Sequence, residues 1–311
     1  MEYRQLGHSG LSVSLVGIGC NNFGGRADAA QSQIVIKKAL DLGITLFDTA
    51  DVYGGKGGSE TILGDYLGAE RQNIVLATKF GWDMSETDKG ASRRYIMKAV
   101  YSSLKRLKTD YIDLYQLHKP DPKTPIAETL RAMNDLVKAG AVRYIGCSNL
   151  KSWQVVEAVY TAKELGLEGF ISCQDEYSLV QRNAESELLP AMKAYGLGLL
   201  PYFPLASGLL SGKYKQGAPM PEGARLTKSQ GLANEYLTDK NWAIVEKLTA
   251  FCAAHNHTLL ELAFSWLAAN PVTSSIIAGA TKPEQLEQNV AAVNWQLTGS
   301  ELAEVRAILE A

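Results

Sequence analysis

Only four cysteines occur in the 311 residues, and Cys20, Cys147, Cys173 and Cys252 lie far apart with no Cys-x-x-Cys pair. That spacing argues against a disulfide framework and against a thiolate metal site. No apolar secretory core opens the chain, and no stretch approaches the ~18 consecutive apolar residues of a membrane helix. A reduced, cytoplasmic, metal-free protein that does not insert in a membrane is therefore expected. Charge of one sign is also missing: 31 basic residues stand against 33 acidic ones, for a net charge of -2. This removes the electrostatic basis for nucleic acid or an anionic lipid surface as partner and leaves a small molecule as the expected ligand.

Several catalytic motifs are absent as well. There is no G-x-G-x-x-G, since Gly17-Ile-Gly19 continues as Cys-Asn-Asn, and no G-x-x-x-x-G-K-[ST], H-E-x-x-H or G-x-S-x-G. Tyr101-x-x-x-Lys105 and Tyr236-x-x-x-Lys240 have the spacing used by short-chain dehydrogenases. The first lies within an amphipathic helical pattern and neither follows a glycine-rich dinucleotide turn, so both read as coincidences.

What is present is a repeating alternation. Apolar, β-rich runs at 13–19, 45–50, 73–80, 111–118, 142–149, 169–174, 196–203 and 274–281 are separated by helical patterns such as 31–43, 92–108, 126–140 and 152–166. Nearly continuous apolar strands spaced by helices predict a parallel sheet covered on its outside. Eight such units in a chain of this length predict an α/β fold of the closed (β/α)8 TIM-barrel kind, as a single domain spanning 1–311, with an open doubly wound sheet as the alternative. Residues 1–15, with the turn Gly7-His-Ser-Gly10, predict an N-terminal β-hairpin, and 299–310 predict an extra C-terminal helix opened by Ser300. The Gly-, Pro- and polar-rich stretch 204–238 is too long for a plain connector and predicts a functional loop on the catalytic face.

Strand ends then become the places to look for chemistry. They carry Asp48, with Tyr53 just beyond it, then Lys79, His118, Ser148, Asn149, Gln174 and Tyr202. Polar groups at the ends of apolar strands are costly unless they pair or act together. A lysine beside a tyrosine lowers the phenol's pKa, and an aspartate beside the lysine keeps it charged. Asp48, Tyr53 and Lys79 are thus expected to form a proton donor working near neutral pH, with His118 aimed at a substrate oxygen, as carbonyl reduction requires.

These residues resemble the aldo-keto reductase family over nearly the whole chain. Phe47-Asp-Thr-Ala-Asp-Val-Tyr53 with Ser59-Glu60 and Leu63-Gly64 is similar to its first signature; further matches are Gly146-Cys-Ser-Asn149, Ser207-Gly-Leu-Leu-Ser-Gly-Lys213 and the segment Gly279 to Asn289. The likeness is to the bacterial-type branch that includes the potassium-channel beta subunits. It implies NADP(H) as cofactor and NADPH-dependent reduction of aldehydes or ketones to alcohols, with Tyr53 as general acid, Lys79 and Asp48 tuning it, and His118 orienting the carbonyl. It also implies that Ser148, Asn149 and Gln174 hold the nicotinamide amide, that Tyr202 stacks on the ring, and that Asp48 counts among the cofactor-binding residues as well. Pro204, Leu205, Ser207 and Lys213 would follow the pyrophosphate, and Gly279, Thr281, Lys282, Gln285 and Asn289 would hold the adenosine end. The implied alternative is a redox-sensing module that holds NADP(H) with little turnover. Loop residues Asn21, Asn22, Phe23 and Trp82 are expected to wall the substrate pocket, with the glycine-rich Gly54–Gly58 as its rim.

Overall fold

The computed structural model describes residues 1–311. Two short strands, β1 (Tyr3–Gln5) and β2 (Ser12–Ser14), pair antiparallel as the hairpin. Eight more follow: β3 (Val16–Gly19), β4 (Leu46–Asp48), β5 (Val75–Phe80), β6 (Ile112–Leu117), β7 (Val142–Ser148), β8 (Phe170–Glu176), β9 (Gly198–Tyr202) and β10 (Ile276–Gly279). They pair in parallel in chain order, and β10 joins both β9 and β3, so the sheet is a closed (β/α)8 barrel as expected. The apolar run 13–19 is divided: its start belongs to the hairpin, and the barrel strand begins at Val16.

Strand alternation decides what fills the barrel. Leu46, Val75, Ala77, Leu114, Leu200 and Ile277 form an interior apolar cluster with Leu6 and Val13 of the hairpin region. Their neighbours Phe47, Leu76, Tyr115 and Ile145 belong instead to the larger cluster that includes residues of the covering helices. One layer above the interior cluster, and on the same side of each strand, come Asp48, Lys79 and Gln116, so the polar set is the top layer of the barrel interior.

The hairpin seals the opposite end. His8 N–H donates to the Gly196 carbonyl at 2.8 Å and Gly7 N–H to Ser274 Oγ at 3.4 Å, both beside strand starts. The C-terminal helix runs Gly299–Glu310, but its cap is Thr298 rather than Ser300: Thr298 Oγ1 accepts from Glu301 N–H while Glu301 accepts from Thr298 N–H at 2.6 Å. The stretch 204–238 holds a 3-10 turn Ala206–Ser211 and short helices Arg225–Lys228 and Gln230–Tyr236. These pack Leu209, Leu210, Leu226 and Tyr236 against Leu248 and Phe251 of helix Asp239–Ala254. No helix is long and apolar enough to cross a membrane, and no group of three or more His, Cys, Asp or Glu side chains is arranged to hold a metal ion.

Gly7 has φ +58°, and a Cβ there would lie 2.6 Å from the Gly196 carbonyl oxygen and 2.7 Å from Gly198 N. Left-handed backbone costs an L-residue about 1–2 kcal/mol before any clash. Gly7→Ala should therefore lose about 2 kcal/mol or more of stability and several degrees of Tm in thermal melts, whereas Gly299→Ala, with open space around it, should change stability little.

Candidate active site

The end of β4 delivers Asp48, buried at 2% exposure, into a ring of donors. Lys79 Nζ from β5 lies 2.5 Å from Asp48 Oδ2, while Gln116 Nε2 and Gln174 Nε2 donate to Oδ1 at 3.1 and 2.9 Å. Lys79 also donates to the Thr49 carbonyl at 3.0 Å. Four strands thus converge on one carboxylate. Gln116 has no role in the sequence-based assignment, although its place two residues before His118, on the interior face of β6, is the signal that marks it.

Lys79 is fully buried, and its Nζ sits 5.2 Å from the centre of the Tyr53 ring. Burial is the largest influence and acts to lower the lysine pKa, yet Asp48 and Tyr53, through charge and hydrogen bonding together, hold the ammonium above its ordinary value. Tyr53 Oη lies 3.4 Å from His118 Nε2, with the rings edge to face at 5.6 Å. The structure corrects one expectation here: the Tyr53 phenol is raised rather than lowered, because burial exceeds the opposing pull of the Lys79 charge. Burial, helped by the charges of Lys79 and Lys119, pushes His118 down to about 2, so its imidazole is neutral. Its Nδ1 is buried without a partner. The phenol O–H and a neutral Nε2–H can then be directed at one oxygen atom placed between them.

A cavity of about 680 Å³ opens above this group. Of the residues singled out from sequence, Asn21, Asn22, Asp48, Tyr53, Trp82, His118, Ser148, Asn149, Gln174, Tyr202, Pro204, Leu205, Ser207, Lys213, Gly279, Thr281, Gln285 and Asn289 line it. Lys79 lies beneath the lining. Lys282 does not line it; it is exposed at the start of helix Pro283–Ala291, where the Gln285 side chain accepts from its backbone N–H at 3.2 Å. Phe23 is not a pocket wall: it is fully buried in the core, bridged to Ala27. An aromatic ring that closes a tight loop is drawn under it rather than over the cavity.

Asn149 is already engaged, donating to the His118 carbonyl at 3.0 Å and accepting from Tyr202 Oη at 2.8 Å. Trp82 is 43% exposed, edge-on to His118 at 5.9 Å, with Lys119 Nζ 4.2 Å over its ring. The cavity also holds residues to which sequence reasoning assigned no role, notably Arg26, Lys119 and Arg225. Arg225 falls inside the 204–238 stretch whose length signalled function.

The glycine-rich segment after Tyr53 is also corrected. Gly54, Gly55, Lys56 and Gly57 form a left-handed turn with φ of 65°, 76°, 70° and 114° that leads into the helix ending at Tyr66. None of them lines the cavity. A Cβ on Gly54 would meet the Phe23 carbonyl, and one on Gly57 the Arg106 side chain, so both ends of the turn are packed while Gly55 and Lys56 between them face solvent rather than the cavity. Ser59 and Glu60 tie its far end down: Ser59 Oγ donates to the Cys20 carbonyl at 2.8 Å, and Glu60 accepts from Thr78 at 2.6 Å and from Arg106 Nε at 2.7 Å.

The residues suit a dinucleotide. The lining carries four cations, Arg26, Lys119, Lys213 and Arg225, but a single carboxylate, Asp48, which Lys79 neutralises. Arg26, Lys213 and Arg225 have no anionic side-chain partner within the chain, and Ser207 Oγ is buried without a hydrogen bond, as a site for an anionic ligand would leave them.

Residues 15–310 match the model of the Aldo/keto reductase family. A probable voltage-gated potassium channel subunit beta of Oryza sativa subsp. japonica is 40% identical over 301 residues, covering 94% of this chain and 92% of the relative. A protein of the same description from Arabidopsis thaliana is 40% identical over 302 residues, with 94% and 92% covered. An uncharacterized oxidoreductase of Bacillus subtilis is 38% identical over 310 residues, with 96% and 92% covered.

Two outcomes follow from the buried charges. Asp48→Asn leaves Lys79 buried without a counter-ion and should lower unfolding free energy by about 3–5 kcal/mol, while Asp48→Asn with Lys79→Met should recover much of that loss in denaturant titrations. His118 is neutral when folded but takes a proton near pH 6.5 when unfolded, so it removes stability as pH falls below that value. His118→Gln should lose stability less steeply than the wild type between pH 6.5 and 4, by about 1.4 kcal/mol per pH unit.

Proposed function

The chain belongs to the aldo/keto reductase family, and from that premise we propose that it is a cytoplasmic oxidoreductase, a single-domain barrel that reduces aldehydes or ketones to alcohols with NADPH, reversibly. The observation that carries this is the Tyr53 and His118 pair above the Lys79 and Asp48 ion pair, at the floor of a cavity lined by unpaired cations. The four buried free thiols suit a reducing compartment.

NADPH bound in this cavity supplies a hydride. The remainder of the chemistry falls to side chains of the chain. His118, neutral and held by its own burial, donates from Nε2 to the carbonyl oxygen and orients the carbonyl without the repulsion a charged imidazolium would bring beside Lys79. Tyr53 gives its proton to the same oxygen as negative charge develops there. A phenol with a raised pKa keeps that proton until the alkoxide forms, and the Lys79 ammonium stabilises the phenolate left behind. Asp48, fixed by two glutamine amides, keeps Lys79 charged. In the reverse direction the phenolate accepts the alcohol proton.

On the cofactor side, Ser148, Gln174 and Tyr202 are suited to the nicotinamide end, while Thr281, Gln285 and Asn289 suit the adenosine end. Lys213 and Arg225 offer charge to the diphosphate, while the preference for NADP(H) would rest on Thr281 and Lys282 beside its extra 2′-phosphate. Lys282 would have to swing inward to reach it. Trp82 and Lys119 would flank the substrate, with Asn21 in the same lining.

Steady-state oxidation of NADPH against a panel of carbonyls, with NADH as control, tests the proposal. Tyr53→Phe should lower kcat by about a thousandfold while NADPH affinity stays within a factor of two or so of the wild type. Retention of full kcat by that variant would remove Tyr53 as the acid. The relatives described as channel beta subunits support a second reading, a nucleotide-holding regulatory module. Tight NADPH binding without turnover of any carbonyl, joined to a stable protein partner in pull-downs, would favour it.

A further inference from the structure

Lys119 follows His118 directly and lines the same cavity. It precedes Pro120, which disfavours helical backbone at the lysine. The turn beyond is fastened by the Asp121 carboxylate, which accepts from the N–H groups of Ala91 and Lys123 at 2.8 and 2.9 Å. Lys119 Nζ lies 4.2 Å over the ring of Trp82, and that ring stands edge-on to His118 with 5.9 Å between centres. Together with burial and Lys79, its charge keeps His118 neutral. The ammonium is thus set beside the place where Tyr53 and His118 converge on one oxygen.

Its ion-pair partner is Asp83, at 3.4 Å, whose side chain is 59% exposed and stands outside the cavity lining. An exposed pair of that kind contributes little in water, so the ammonium can exchange it for an anion within the cavity. The one carboxylate of the lining, Asp48, is neutralised by Lys79 and does not compete. The cofactor gives no reason for this cation. Its phosphates are met by Lys213 and Arg225 in the reading above, and a nicotinamide ring is uncharged in NADPH and positive once the hydride has left. A cation beside His118 therefore belongs to the substrate's side of the site. Trp82 supplies an apolar face next to it, suited to the carbon framework of a small molecule.

We propose that Lys119 selects carbonyl substrates that carry a carboxylate: the carboxylate meets the ammonium, the carbonyl oxygen lies between Tyr53 and His118, and the carbons that join them lie along Trp82. The proposal rests on the reductase reading above and adds a substrate class to it. Only the carbonyl is reduced; the carboxylate is a handle and leaves unchanged in the product. A lysine that served only to hold Asp83 or to face solvent would treat a carboxylate and its ester alike.

Steady-state NADPH oxidation with 3- and 4-formylbenzoate and their methyl esters separates these cases, because each ester keeps the aldehyde and the ring and removes the charge. Intrinsic reactivity favours the esters, so a preference for an acid is not an electronic effect. For at least one of the two acids the wild type should show kcat/KM about tenfold higher than for its ester, carried mainly by KM and shrinking as ionic strength rises. Lys119→Gln should abolish that preference, and Lys119→Arg, which keeps the charge, should retain most of it. Esters used as well as both acids by the wild type would overturn the assignment, as would a preference for the acid that survives Lys119→Gln. A wild-type protein that turns over neither these aldehydes nor any other carbonyl would instead remove the reductase reading itself, and the substrate class with it.

Discussion

One buried ion pair, Lys79 with Asp48, organises the catalytic end of this barrel. Neither charge could remain there alone, since an isolated ion in the interior carries a penalty of several kcal/mol. The pair survives because the carboxylate receives three side-chain donors, from β5, β6 and β8, and the ammonium receives a backbone carbonyl as well as the carboxylate. The same contacts that satisfy the charges also fix the strand ends against one another, so the site is rigid for an electrostatic reason. Tyr53 is set over that rigid base, and the left-handed turn that follows it is anchored through Ser59, Glu60 and Arg106 to the strands below.

Electrostatics also explain why burial and charge act in opposition at Tyr53. Excluding water raises the phenol, and Lys79 draws it back only in part. An acid of this kind does not release its proton to solvent in the resting protein; it releases it to an alkoxide, a far stronger base, at the moment one forms beside it. His118 follows the same logic from the other side, neutral because it is buried beside two lysines.

Much of this was legible in the sequence. Eight apolar runs separated by helical periods are a consequence of strands buried on both faces, and that pattern survives without any coordinates. Asp48, Lys79 and His118 stand out because a titratable residue closing an apolar strand is costly unless partnered, and barrel closure brings such ends together. The net direction of the Tyr53 shift was not legible, because depth of burial depends on the walls around it. Phe23 illustrates the same limit: an aromatic next to two asparagines and two glycines can face a cavity or fill the floor beneath it, and only packing decides. Arg26 and Arg225 escaped for a different reason. They sit on irregular loops, where no period relates position in the chain to position in space. The turn Gly54–Gly57 was visible as a glycine cluster, but its purpose, a left-handed turn packed against Phe23 and Arg106, depends on neighbours distant in sequence.

The most direct test of the central claim, that Lys79 acts on Tyr53 through its charge, is a titration of that one phenol, obtained as the ultraviolet difference between each protein and its Tyr53→Phe counterpart. In the wild type background the phenol should ionise above the ordinary tyrosine value of about 10. With both charges removed, Lys79→Met together with Asp48→Asn, it should move higher still, since the pull of the lysine exceeds the push of the aspartate. A Tyr53 that titrates at the same pH in both backgrounds would contradict the account.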